Sequence, residues 1–269
     1  MRYFGFEAGS RAGLSAELFF ADYKRCVNTD DVLILSDKSE MYSRVTSSYP
    51  FIKRLQDEEA ILALTAKDRI FPCDELTRQS NAIVADIAAI DNVSSVEPHF
   101  YDKRMMNTYL DDRAKGLKIP KTFPIENVFV KPNAMSAGSK GCYPMNDMCV
   151  SERINIKNEY VIDCLKGEEQ LQVFPRQVVL KNGYDKYIKL LPVASKIGDA
   201  VFEFILSIAE CKLFNGIFHL QVAENNNGDF YYIEASKRIS GTSIANLTRG
   251  FNPFFFLNGL RRPSEDRFK

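Results

Sequence analysis

Along the first hundred residues the apolar positions switch between a strand-like and a helix-like period. Tyr3–Phe6 reads as a strand and Leu14–Cys26 as a helix. Val32-Leu33-Ile34-Leu35 is a short, unbroken apolar run of the kind buried on both faces in parallel sheets. Ile61–Leu64 is a second such run, so both are expected as buried strands. After Pro72, Asp74 can cap a helix whose apolar face is Leu76, Ile83, Ile87 and Ile90. This alternation predicts a small open α/β lobe that ends near Pro98.

Beyond that point the pattern changes. A helix is expected from about Lys103 to near Gly116, where Ile119-Pro120 cannot continue it. Strands follow at Val128–Lys131, Met148–Arg153, Glu159–Leu165 and Leu171–Val179. A helix from Ile197 carries Val201, Ile205 and Ile208 on one face. Gly216–Val222 and Phe230–Ala235 are two further strands, joined by the turn-rich segment Glu224-Asn225-Asn226-Asn227-Gly228-Asp229 of an antiparallel hairpin. The second lobe therefore reads as α+β with mostly antiparallel sheets, against the α/β first lobe.

Composition fits two lobes: 269 residues exceed the ~100–150 of a typical domain. Hydrophobic residues at 45% and charged residues at 26% are the balance of an ordinary soluble globular protein. With 35 Lys and Arg against 35 Asp and Glu, the net charge is zero, which excludes the broad positive footprint of a nucleic-acid binder. A local basic pocket stays open. No apolar run approaches the ~18–20 residues of a membrane span, and Glu7 arrives too early for a signal-peptide core, so neither a membrane nor nucleic acid is an expected partner. Six scattered cysteines and two histidines do not suit a zinc site and read as reduced thiols in a cytoplasm. The Phe251–Leu257 cluster fits a buried core helix, or else the contact of a homodimer.

Three stretches can carry chemistry. In Val128-Phe129-Val130-Lys131-Pro132 followed by Gly138-Ser139-Lys140-Gly141, a strand delivers a lysine to a small-residue loop. Such a loop can turn backbone N–H groups toward an anion, or it can be a solvated loop with surface lysines. It is not a Walker A loop, because Lys140 is followed by Gly141. In the hairpin, strand pairing can bring Gln221 beside Glu234 as oxygen ligands for a hard cation such as Mg²⁺, with Arg238 four residues on. The alternative there is a surface ion pair between Glu234 and Arg238. In the third stretch, Glu152 and Glu159 bracket a polar turn and could clamp a ribose or base edge.

Taken in order, these stretches resemble the ATP-grasp superfamily, in particular its carbamoyl-phosphate-synthetase-like and amino-acid-ligase-like branches. The match runs from about Asp102 to Gly241. Asp102-Lys103 with Ile119-Pro120-Lys121-Thr122 is similar to the family's "DK … P-x-T" segment, and Val130-Lys131-Pro132 with Gly138–Gly141 to its second lysine and glycine-rich lid loop. The resemblance implies an α/β pre-grasp lobe over residues 1–98 and an ATP-grasp domain over 99–269, with a short lid at about 121–158. It implies ATP bound by Lys103, Lys131, Gly138, Ser139, Lys140, Gly141, Glu152 and Glu159, and Mg²⁺ held by Gln221, Glu234 and Ser236. Arg176 and Arg238 would be the catalytic pair that steadies the transferring phosphoryl group.

The activity so implied is a carboxylate–amine ligase that works through an acyl phosphate, with small-molecule carboxylate and amine substrates. The alternatives are an ATP-binding regulatory module without turnover and an ATP-grasp phosphotransferase. The sequence departs from the family where Asn and Pro usually follow the metal-binding glutamate, since Ser236 and Lys237 stand there. The lid is abbreviated as well, with 21 positions from Lys131 to Glu152.

Overall fold

In the computed structural model of the chain, the described residues are 1–6, 10–37, 49–65, 67–71, 73, 102–121, 128–132, 148–168, 170–181, 184–208 and 212–261. The first lobe is built on a four-stranded sheet of β1 (Arg2–Gly5), β2 (Val32–Asp37), β3 (Ile52–Gln56) and β4 (Arg69–Ile70), in the order β3-β2-β1-β4. Each described pairing in it is parallel. The continuous apolar runs are explained by burial on both faces. Tyr3, Leu33 and Leu35 pack with Phe19, Phe20 and Tyr23 of α1 (Ser10–Cys26) on one side. Phe4, Phe6 and Ile34 pack with Ala60 and Leu64 on the other.

The second of the runs expected as strands is instead a helix, α2 (Asp57–Ala63), which includes most of Ile61–Leu64. Glu58 and Glu59 put negative charge in its first turn, and the Glu59 carboxylate accepts a hydrogen bond from the Gln56 N–H at 3.3 Å. Only Ala60 and Leu64, one helical turn apart, are fully buried, while Leu62 is 86% exposed. A strand buried on both faces would have hidden all of them. The expected helix over Leu76–Ile90 lies outside the described residues.

The second lobe holds a five-stranded sheet in the order β11-β10-β7-β8-β9. Its strands are β7 (Ile156–Lys166), β8 (Leu171–Lys181), β9 (Tyr184–Leu190), β10 (Gly216–Asn225) and β11 (Phe230–Ser236), all paired antiparallel. A separate hairpin pairs β5 (Val128–Pro132) with β6 (Met148–Glu152). β7 starts at Ile156, inside the range anticipated for the lid, so those last residues belong to the large sheet.

Helix α3 (Lys103–Asp111) is capped by Asp102, whose side chain accepts from the Arg104 and Met105 N–H groups at 2.9 and 3.0 Å. Met106 and Leu110 of α3 join Val201, Phe204 and Ile205 of α4 (Lys196–Ser207) against Phe218, Leu220, Val222 and Tyr232 of the sheet. The turn after α3 requires Gly116. Its φ is +78°, and a Cβ there would stand 2.3 Å from the Ala200 carbonyl oxygen of α4. Past that turn the chain extends the sheet edge: the Lys118 N–H donates to Phe230 O at 2.8 Å and the Tyr232 N–H to Lys118 O at 3.0 Å.

The C-terminal aromatic cluster is core. Phe251, and Phe254 and Phe255 of α5 (Pro253–Leu257), pack with Tyr3, Phe19, Phe20 and Phe71 of the first lobe and with Leu165, Phe174 and Ile217 of the large sheet. The Phe71 and Phe254 rings stack at 4.3 Å. Asn252 ties the segment down by donating to Phe19 O at 2.8 Å and to the Asp22 carboxylate at 2.9 Å. A homodimer therefore gains no support from this cluster. Among the described residues no helix is long and apolar enough to cross a membrane.

Candidate nucleotide and metal site

The large sheet sorts the candidate residues by side. Residues opposite one another on neighbouring strands project to the same face. One row across β8, β7, β10 and β11 reads Arg176, Val161, Gln221, Glu234. The next row toward the C-terminus of β11 reads Phe174, Asp163, His219, Ser236, and the row on the other side contains Val178, Glu159 and Ala223. Glu159, Arg176, Gln221, Glu234 and Ser236, predicted from three separate stretches, thus share one face. The opposite face is the apolar one covered by α3 and α4.

A β-bulge makes this possible. Gln221 pairs with Glu234 and Val222 with Tyr232, leaving Ile233 as an extra residue in β11. In a regular strand Tyr232 and Glu234, two positions apart, would point the same way. Here Tyr232 enters the apolar core while Glu234 turns to the polar face beside Gln221.

At the centre of that face, Gln221 Nε2 donates to Glu234 Oε1 at 2.8 Å. The Lys103 ammonium lies 3.0 Å from Glu234 Oε2, with side chains 18% and 21% exposed. Lys103 is the first residue of α3, so the Asp102 cap fixes where its stem begins. A side-chain carbonyl and a carboxylate on adjacent strands are oxygen donors suited to Mg²⁺, and both can be reached from solvent. Ser236 is fully buried one row away, so the accessible donors are Gln221 and Glu234. Among the described residues no three His, Cys, Asp or Glu side chains group as a self-sufficient metal site.

Arg176, expected as one of the catalytic pair, lies in the interior of the sheet's polar face. It is 0% exposed and forms an ion pair at 3.0 Å with Asp163, itself 1% exposed. Arg176 also donates to the Thr242 hydroxyl. The Asp163 carboxylate accepts from Ser243 Oγ at 2.8 Å and Asn246 Nδ2 at 2.7 Å. Burial pushes the Asp163 carboxyl up, opposed by the Arg176 charge and by these donors. The pair anchors the chain that follows β11, from Thr242 through the 3₁₀ turn Ser243–Arg249. The signal for Asp163 was its place in the middle of the otherwise apolar run Tyr160–Leu165.

Arg238 is half-buried and its backbone is held from below. His219 Nδ1 lies 3.0 Å from the Arg238 carbonyl oxygen, to which a protonated Nδ1 donates. Burial, with the Arg238 charge adding to it, keeps the imidazole pKa well below its ordinary value, so His219 stays neutral. Lys237, the residue that departs from the family's proline, turns inward, donating to the Asn215 carbonyl and lying 5.9 Å from the Phe218 ring centroid. It takes no part in the polar face.

The hairpin is tied to the sheet's edge through Glu152. The Glu152 N–H donates to Lys121 O at 2.8 Å, and its carboxylate accepts from the Lys121 N–H at 3.2 Å. Beside it opens a cleft lined by Lys115, Lys118, Ile119, Lys121, Glu152 and Tyr231. Lys131 sits in β5 opposite Cys149. Gly138, Ser139, Lys140 and Gly141 lie outside the described residues.

A parallel sheet, a paired hairpin and a large antiparallel sheet are the parts of an ATP-grasp fold, and this is the fold of the chain. N5-carboxyaminoimidazole synthetase from Staphylococcus aureus, solved with ADP, matches over 97% of this chain and 78% of its own, at a TM-score of 0.69 and 14% identity. A candidate ATP-grasp superfamily protein from Archaeoglobus fulgidus matches over 97% of this chain and 89% of its own, at a TM-score of 0.71 and 16% identity. Carboxyaminoimidazole ribonucleotide synthase from Aspergillus clavatus, solved with ATP, matches over 98% and 78%, at a TM-score of 0.69 and 14% identity. No family model and no curated protein matches the sequence.

Proposed function

We propose that the protein is an ATP- and Mg²⁺-dependent carboxylate–amine ligase. The observation that carries this reading is the meeting of Gln221, Glu234 and Lys103 on the polar face of the large sheet, from segments more than a hundred residues apart in sequence. In the proposed reaction the γ-phosphoryl of ATP passes to a substrate carboxylate, releasing ADP. An amine then attacks the acyl phosphate and expels inorganic phosphate. Such transfer depends on positioning and charge neutralisation. Lys103 and Lys131 bind phosphate oxygens, and Glu159 takes the ribose hydroxyls. Glu152 lies at the base edge, and Arg238 steadies the transferring group. The Gly138–Gly141 loop closes over the phosphates and excludes water. Mg²⁺ held by Gln221 and Glu234 would neutralise the β- and γ-phosphates. Arg176 serves as a positioning residue through Thr242. A reducing cytoplasm is the compartment that suits the chain's scattered cysteines.

The test is incubation of the purified protein with Mg²⁺-ATP and mixtures of carboxylates and amines. ADP and phosphate release, hydroxylamine trapping of the acyl phosphate, and product mass are the readouts. ADP release by Glu234→Ala equal to that of the wild type would overturn the assignment. The full burial of Ser236 favours one other reading, a nucleotide-binding regulatory module. That module would be stabilised thermally by Mg²⁺-ATP and release no ADP with any acceptor. A phosphotransferase would instead yield a stable phosphorylated product that hydroxylamine does not consume.

A further inference from the structure

We propose that Lys103 occupies the cation's place at Glu234, so that a divalent metal is admitted to the site only together with the phosphates of a nucleotide. The inference rests on the nucleotide-site reading above and concerns the order in which its charges assemble. Glu234 carries the negative charge of the central pair, its partner Gln221 being neutral, and the Lys103 ammonium at 3.0 Å already balances it. A free divalent ion approaching Gln221 and Glu234 therefore meets a carboxylate whose charge is already balanced, with a like charge against the oxygen it needs.

A nucleotide changes this balance. Its phosphates give Lys103 another anion to pair with, and they carry the metal with them. The lysine can then leave Glu234 as the metal reaches it, and no carboxylate is stranded without a cation at any stage. The two side chains are suited to the exchange. Lys103 is partly exposed on a flexible four-carbon stem at the first position of α3. Glu234 and Gln221 are fixed opposite each other by strand pairing, next to the bulge.

Binding of Mn²⁺ in place of Mg²⁺, followed by electron paramagnetic resonance of the free ion, tests this without reference to turnover. Wild-type protein is expected to leave Mn²⁺ free in the absence of nucleotide and to bind it when ATP is added. Lys103→Met and Lys103→Gln, checked for folding by thermal melting, are expected to bind Mn²⁺ alone about tenfold or more tightly than the wild type does. Adding Glu234→Gln to either should remove that gain. Equal Mn²⁺ affinity of wild type and both Lys103 variants without nucleotide, whether tight or absent, would overturn the proposal. Failure of the wild type to bind ATP in any arm would overturn the ligase reading instead, and the nucleotide-free arms would still judge the role of Lys103.

Discussion

The two faces of the five-stranded sheet are made by the same strands yet hold different chemistry. On one, Phe218, Leu220, Val222 and Tyr232 interlock with α3 and α4 in a continuous apolar layer. On the other, Glu159, Asp163, Arg176, His219, Gln221 and Glu234 stand in cross-strand rows. Strand alternation alone would produce two such faces, but not this assignment, because Tyr232 and Glu234 have the same parity. The extra residue at Ile233 separates them, giving the core an aromatic ring and the polar face its central carboxylate. One backbone irregularity lets the sheet present an apolar layer on one side and a cluster of polar and charged groups on the other.

That division can be broken from either side, and the largest effect is expected at its centre. Glu234→Ala should lower Mg²⁺-dependent ADP release by about 10²–10³-fold or more, as loss of a group that stabilises transferring charge does. Its melting temperature should stay close to that of the wild type, since Glu234 is partly exposed. Phe204→Ala, on the apolar side, should show the reverse. Urea denaturation should record a loss of ~3–5 kcal/mol, while the remaining folded protein keeps its nucleotide affinity.

Asp163→Asn sharpens the comparison, because it lies on the polar face but is expected to behave as a core residue. Stranding the buried Arg176 charge should cost ~3–5 kcal/mol. The double variant Asp163→Asn with Arg176→Met should recover part of that loss, and denaturation midpoints of the three variants are the check. A polar face that were functional throughout would show no such recovery.

The smallest effect is expected at Glu224, on the apolar side of the sheet's far end. Burial pushes its carboxyl up, but hydrogen bonds from Tyr160 Oη at 2.5 Å and Asn158 Nδ2 at 2.7 Å, with the charges of Lys157 and Lys196, outweigh this and leave its pKa below the ordinary value. A depressed folded-state pKa contributes stability above the unfolded-state pKa and loses it as pH falls through the folded one. Wild type should therefore exceed Glu224→Gln in stability at neutral pH, and the gap should close below about pH 4. Thermal melts across pH 3–7 would record it.

Much of this fold was legible because its periodicities are strong. The runs at Val32–Leu35 and Gly216–Val222, the helix start near Lys103 and the Glu224–Asp229 turn each placed an element close to where it lies. Misreading arose where local chemistry competed with pattern. The acidic first turn with Glu58 and Glu59 turned an apolar run into α2. β3 and β9 escaped notice because edge strands such as Ile52–Gln56 and Tyr184–Leu190 carry too many polar residues to show an apolar face. Of the site, Gln221 beside Glu234 could be read from hairpin pairing, a local relation. The Lys103 partner of Glu234 could not, for it comes from a helix more than a hundred residues away in sequence.

The sequence by itself determined the α/β and antiparallel halves, the residue types able to hold phosphate and a hard cation, and their order along the chain. It did so because strand and helix periods, caps and turns act over a few residues. Tertiary structure decided which side of the sheet each residue faces, that Arg176 meets Asp163 in a buried ion pair, and that the C-terminal phenylalanines pack the parallel and antiparallel sheets into one core. Those outcomes depend on register, on a single bulge and on packing between segments hundreds of residues apart, which no local pattern encodes.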